Sequence, residues 1–260
     1  MVTRVTIDTN VCSLIGDPVG HSDRAAPGTA EQVRRGIEKG NIRAFVSEAS
    51  AFVEFLSSPQ KLEYLAVAGT RQARPIPDPR SIAEFRALAE LGVHMLHAPL
   101  IGAEKFFDEM PWALDEVYSQ EERIRRFDNF ARQYPLQKPL VTLGSEMLKS
   151  QPPVPQGRTF RAKTGFSMEL RLKWAVALKR EWHAADGAER KKLRKKIAPM
   201  ISEWCDELIV SSHVAYGNDV LCTLDRGKGA GSHSLLHHLN RASLEASGVK
   251  IISPEEMAAL

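Results

Sequence analysis

Arg4-Val5-Thr6-Ile7-Asp8-Thr9-Asn10 is the stretch that decides the fold. Its β-branched run Val5-Thr6-Ile7 predicts a short strand, and the apolar Val11, Leu14 and Ile15 beyond Thr9-Asn10 predict a helix. A strand that feeds a helix through one acid and a short turn opens a βα unit. Working outward, Gly16 to Gly28 is rich in turn residues and predicts a loop. Thr29 to Lys39 carries helical spacing through Val33 and Ile37, and Ile42 to Val46 predicts a second strand. Ser47 is suited to cap a helix with Ala49, Phe52, Val53 and Leu56 on one face. The far end has the same rhythm. Ile201 to Tyr216 predicts a helix closed by Gly217, and Asp219 to Thr223 a strand leading to Asp225. Ser234 to Ser247 predicts a helix closed by Gly248, and Val249 to Ile252 a last strand. Strands alternating with helices imply an α/β fold, a parallel sheet between two helical layers.

Between these ends, residues 59–200 read as a mostly helical insertion or lobe, joined to a core built from 1–58 and 201–260. Ser81 to Leu91 and Glu116 to Tyr134 have helical patterns, and Gly92 to Leu96 is suited to a strand. Gln151-Pro152-Pro153-Val154-Pro155 is a stiff spacer, since proline presets an extended backbone. Ser167 to His183 and Ala188 to Ile197 predict two basic helices divided at Asp186-Gly187. Charge is concentrated here: 156–198 holds 13 Lys and Arg against 4 Asp and Glu, a net +9 in a chain of net +3. A basic segment on an acidic body favours a polyanion, because cationic side chains displace counterions condensed on a phosphate backbone. A solvated helix surface is the plainer reading of such a run.

Composition excludes several classes. The chain has 260 residues, 43% of them apolar, enough to bury a sizeable core. Its opening residues lack a secretory or membrane-spanning run, so a cytoplasmic protein with no membrane partner is expected. Cys12, Cys205 and Cys222 show no zinc-ribbon spacing and read as buried thiols.

In an open α/β sheet the ligand crevice lies beyond the carboxyl ends of the strands. Asp8 and Asp225 each stand beyond a strand and are expected to point into one crevice. Asp206 is expected near a helix start, facing the same place, and Glu48 and Glu54 compete to supply a fourth acid from different helix faces. Converging carboxylates repel unless a cation compensates them, and Mg²⁺ or Mn²⁺ suits all-oxygen ligands that also meet a phosphate. Two such ions roughly 3.5–4 Å apart support phosphodiester hydrolysis without a covalent intermediate.

The motif Asp8-Thr9-Asn10 after its strand resembles the opening of PIN-domain nucleases. Asp206-Glu207-Leu208-Ile209 and Thr223-Leu224-Asp225 resemble that family's third-acid helix and Thr-x-Asp strand, with 19 residues from Asp206 to Asp225. Gly248 to Glu256 is similar to its closing strand and proline. The resemblance covers roughly 1–58 and 201–260, while the long middle departs from a small PIN toxin. It implies a PIN-like parallel-sheet fold and a metal-dependent endoribonuclease. Catalytic carboxylates would be Asp8, Glu54, Asp206 and Asp225, with metal on Asp8, Asp206 and Asp225. The resemblance favours Glu54, which precedes Phe55-Leu56, over Glu48. It also implies RNA as partner, and leaves open a toxin role with a protein antitoxin, and a homodimer.

Around these acids, Asn10 and Thr223 are suited to orient carboxylates by hydrogen bonds. Lys228, in the basic loop 226–232, and Arg190, Lys191 and Lys192 are candidates for substrate phosphates. Trp174 and Trp182 are placed either to stack bases or to fill a core. His233 and His237 read as an i, i+4 pair that lacks a third zinc ligand. Asp219 reads as a cap or turn residue. Two rivals remain. A non-catalytic RNA-binding or scaffolding module would not need the full acid set. A phosphatase of the haloacid-dehalogenase kind expects a second Asp where Asn10 stands.

Overall fold

A computed structural model of the chain describes residues 2–57, 60–61, 78–97, 110–113, 117–133, 180–181, 183–225 and 235–260. The predicted βα opening forms strand β1 (Thr3–Ile7) and helix α1 (Thr9–Gly16). There follow α2 (Thr29–Glu38), β2 (Ile42–Ser47) and a π-helical turn (Ser50–Glu54). Beyond it come α3 (Pro79–Glu90), β3 (His94–Leu96), α4 (Gln120–Gln133) and α5 (Gly187–Tyr216). The chain closes with β4 (Val220–Cys222), α6 (His238–Ala246), β5 (Ile251–Ile252) and α7 (Pro254–Ala258).

The five strands form one sheet in the order β3-β2-β1-β4-β5, every pairing parallel. Val5, Thr6 and Ile7 are consecutive and fully buried, so both faces of the central strand are covered. Thr6 points to one face, where its hydroxyl meets the His213 ring and the Asn218 amide at the end of α5. Val5 and Ile7 therefore point to the other face. There α1 and α2 pack on each other, α3 packs on α1 and α7 on α2, while α4 packs along α5. Strand β3 and helices α3 and α4 come from the 59–200 stretch, whose described part is thus woven into the same core. No helix among the described residues is long and apolar enough to cross a membrane.

Two sequence expectations need correction. The segments expected as separate helices at 188–197 and 201–216 are one 30-residue helix, α5. Pro199 forfeits the hydrogen bond to the carbonyl four residues back, yet the turns beyond it bury Cys205, Leu208, Ile209 and Val210. That burial outweighs one lost bond, since each such side chain contributes roughly 1.5–3 kcal/mol. A capping box between Asp186 and Glu189 starts the helix, and Gly217 at φ 60° ends it. The helix expected from Ser234 begins only at His238: His237 caps it, its ring nitrogen accepting from the Leu239 N–H, so no i, i+4 histidine pair lies on this helix. His233, Trp174, Trp182, the proline spacer and most of the first basic helix lie outside the described residues.

Candidate metal centre

Ile7 pairs with Cys222 across β1 and β4, and the Asp8 N–H donates to the Cys222 carbonyl at 3.0 Å. That register sets Asp8 beside Thr223. Asp8 caps α1 in extended conformation, with Oδ1 accepting from the Thr9 N–H at 2.6 Å. Its Oδ2 accepts from the Asn10 amide at 2.7 Å and the Thr223 hydroxyl at 2.6 Å. Thr223 and Asn10 are themselves held: the Asp225 N–H donates to the Thr223 hydroxyl at 2.9 Å, and the Leu224 N–H to the Asn10 side-chain Oδ1 at 2.9 Å. The carboxylate is thus fixed from two strand ends and one helix start, which leaves it little freedom to turn away from a ligand.

Glu54 reaches this point from β2. Ser47 Oγ accepts from the Ala49 N–H and starts a helical run, which widens into the π-helical turn, where the Phe55 N–H bonds the Ser50 carbonyl five residues back. One extra residue in a turn rotates everything after it by roughly 100° relative to an α-helix. Glu54 ends that turn, and its carboxylate accepts the Thr9 hydroxyl. Asp206 comes from the opposite side, 5% exposed on α5. It stands well inside this long helix, not near its start as expected, so no helix dipole stabilises its charge.

Asp8, Glu54 and Asp206 each bring a carboxylate oxygen within 4.8 Å of the others. Burial raises the Asp8 carboxyl above its ordinary value against the pull of the Thr223 and Thr9 hydrogen bonds, and the Asp225 charge adds to the rise. Glu54 is pushed from 4.5 to about 7 by burial, then by the Asp8 charge, with Thr9 and Lys61 opposing. The same carboxylates add to the burial that pushes the Cys12 and Cys205 thiols up, so both are held as inert thiols. Three crowded carboxylates from three elements, all oxygen donors, fit a hard divalent cation. No histidine or thiol ligand atom joins this group among the described residues, which disfavours zinc.

The other residues singled out from the sequence fall at different distances. Asp225 is half-buried at the rim, close enough to raise Asp8 and Glu54 but outside the tight trio, and its carbonyl accepts from Arg241. Glu48 turns away, 1% exposed, with His97 Nδ1 at 3.6 Å from its carboxylate. Asp219 exchanges hydrogen bonds with the Arg4 backbone and pins the start of the sheet. Arg190, Lys191 and Lys192 are exposed on the first turns of α5, about 22 Å along the helix from Asp206. Lys228 lies outside the described residues.

Three groupings escaped the sequence reading. Thr9, within the quoted motif, links Asp8 to Glu54. Asp17, His21 and Glu84 also converge, but the Arg80 guanidinium already sits among them, 3.1 Å from Asp17, 3.2 Å from His21 and 3.3 Å from Glu84. His97 and Trp112 form a stacked pair beside Glu48. The strand-end rule that singled out Asp8 and Asp225 applies equally to His97, which follows β3 directly.

Comparison of the chain with family models, with curated proteins and with solved structures found no match.

Proposed function

We propose that this chain is a Mg²⁺- or Mn²⁺-dependent endoribonuclease of the PIN-domain kind. The observation that carries the reading is the convergence of Asp8, Glu54 and Asp206 within 4.8 Å at the carboxyl edge of a parallel sheet. These three residues would hold the cation, with Asp225 at the rim. When bound, such an ion makes water nucleophilic at neutral pH and stabilises the leaving oxygen of a phosphodiester.

The protein groups have separate tasks. Thr9, Asn10 and Thr223 keep Asp8 oriented, so a ligand meets a carboxylate already in position. Glu54, whose carboxyl is raised by burial and by the Asp8 charge, gains most from a cation that offsets that crowding. The basic start of α5 offers Arg190, Lys191 and Lys192 to phosphates upstream or downstream of the cut, and a chain that reaches from these residues to Asp206 spans several nucleotides. Asp-Thr-Asn and Thr-x-Asp at the ends of adjacent strands support the PIN reading.

The test is cleavage of single-stranded RNA with Mg²⁺ by the parent, Asp8→Asn and Asp225→Asn proteins. Cleavage by the parent that is lost in Asp8→Asn and weakened in Asp225→Asn supports the reading. RNA binding without cleavage at any Mg²⁺ or Mn²⁺ concentration overturns it in favour of a non-catalytic RNA-binding module.

A further inference from the structure

Glu48 is almost wholly buried, and among the described residues neither of its carboxylate oxygens has a hydrogen-bond partner. A buried carboxylate left so is costly and calls for an explanation. The polar group that faces it is the imidazole of His97, with Nδ1 3.6 Å from Oε2. His97 is held on two further sides. Its backbone N–H donates to the Tyr216 hydroxyl at 3.2 Å, and its ring lies flat on the Trp112 indole, centroids 3.8 Å apart and planes 7° from parallel. Trp112 is fixed in turn, because residues 111–113 pair with Met95 through two backbone hydrogen bonds. Despite this anchoring, the His97 side chain is 37% exposed and Trp112 only half-buried. A core histidine would be covered; this one is braced and presented.

The register says where. Ile7 pairs with Val46, and Ser47 with Leu96, so Asp8 and Leu96 lie level at the ends of β1 and β3, and His97 follows one step beyond. Two strand spacings put the Leu96 backbone about 10 Å from that of Asp8, a span that the nucleotide beside a scissile phosphate bridges. We infer that His97 and Trp112 form a stacking subsite for a base of single-stranded nucleic acid next to the acid trio, with the buried Glu48 carboxylate as the imidazole's neighbour on the protein side. The inference rests on the ribonuclease reading for its choice of ligand. Flat rings accept any base, so the subsite gives affinity and register without sequence preference.

The experiment measures binding of a labelled single-stranded oligoribonucleotide to the full chain in EDTA, where cleavage is silent. His97→Ala and Trp112→Ala are expected to raise Kd about tenfold, while His97→Phe, which keeps a flat ring, stays within about twofold. Quenching of indole emission by the oligonucleotide, diminished in Trp112→Phe, reads the same contact without requiring either alanine variant to fold. Unchanged Kd in both alanine variants, or no oligonucleotide binding by the parent, overturns the subsite. A second arm adds Mg²⁺. If the alanine variants bind less tightly and the parent cuts nothing, the subsite stands and the nuclease reading falls. If the parent cuts and both variants cut with unchanged KM, the nuclease reading stands and the subsite falls.

Discussion

Thr223 donates its hydroxyl to Asp8 at 2.6 Å across 215 positions of sequence, and the same oxygen accepts the Asp225 N–H. One hydroxyl therefore ties the first acid of the chain to the backbone of the last acid in the proposed site. Thr223→Val removes that donor at nearly constant volume. The expected outcome is a fall in RNA-cleaving kcat/KM of about tenfold to a hundredfold, with the Mg²⁺ titration displaced to higher concentration. Thr223→Ser, which keeps the hydroxyl, is expected to retain most activity. Parallel Mg²⁺ titrations of both variants check this.

Glu54 predicts an unusual pH dependence in metal-free protein. Its carboxyl titrates at about 7 when folded, against 4.5 ordinarily. A raised acid favours the fold below its unfolded value, and that contribution is lost as pH rises through the folded value. Metal-free protein is thus expected to lose roughly 3 kcal/mol between about pH 4.5 and 7 from this group. Glu54→Gln, which still accepts the Thr9 hydroxyl, is expected to flatten the slope. Urea unfolding in EDTA across that range reads it; identical slopes in parent and variant would count against the crowding of these carboxylates.

Metal reverses that penalty. Mg²⁺ binds ionised carboxylates in the folded state, so it should stabilise more at pH 8 than at pH 5. At a hundred times its dissociation constant the gain is about 2.7 kcal/mol. Thermal melts with and without Mg²⁺ check it, and Asp206→Asn is expected to abolish most of the increment.

His213 supplies the acid-side counterpart. Burial lowers its ring from 6.5 to about 4, which keeps it neutral where it meets Thr6. A depressed base contributes stability above its unfolded value, and that stability drains away as pH falls towards the folded one. His213→Gln is expected to unfold with a shallower pH slope between about 6.5 and 4, whatever its stability at pH 8. Circular dichroism during acid titration follows it.

The basic start of α5 is tested through salt. Replacing Arg190, Lys191 and Lys192 with Ala is expected to weaken binding of single-stranded RNA and to reduce the slope of log affinity against log salt by about 2, if all three meet phosphates. The substitutions lie about 22 Å from Asp206 and should leave cleavage of a dinucleotide unchanged. An unaltered slope would return this run to an ordinary solvated helix face.

Much of the fold was legible because its signals are local. A β-branched run before Asp8, a serine at the end of β2 and a glycine after Tyr216 each act within one turn of chain, and each stands at the boundary the structure shows or within two residues of it. The boundaries that failed were tertiary decisions. Pro199 signals a helix break, yet the buried turns beyond it carry α5 through. The histidine pair expected on a helix dissolves because His237 does better as a cap.

Sequence alone determined which acids stand at strand ends and that Asp8, Asn10, Thr223 and Asp225 belong to the two junctions that follow these strands. Periodicity and side-chain chemistry are properties of neighbours along the chain, and these residues needed no more than that. Only the tertiary structure decided that Glu54 meets Asp8 while Glu48 turns to His97, that Asp206 enters from mid-helix, and that His97 lies flat on Trp112. Those outcomes depend on parallel register across the sheet and on one extra residue in a π-helical turn. Both turn on packing between segments far apart in sequence, where a shift of a single residue redirects a carboxylate to another face.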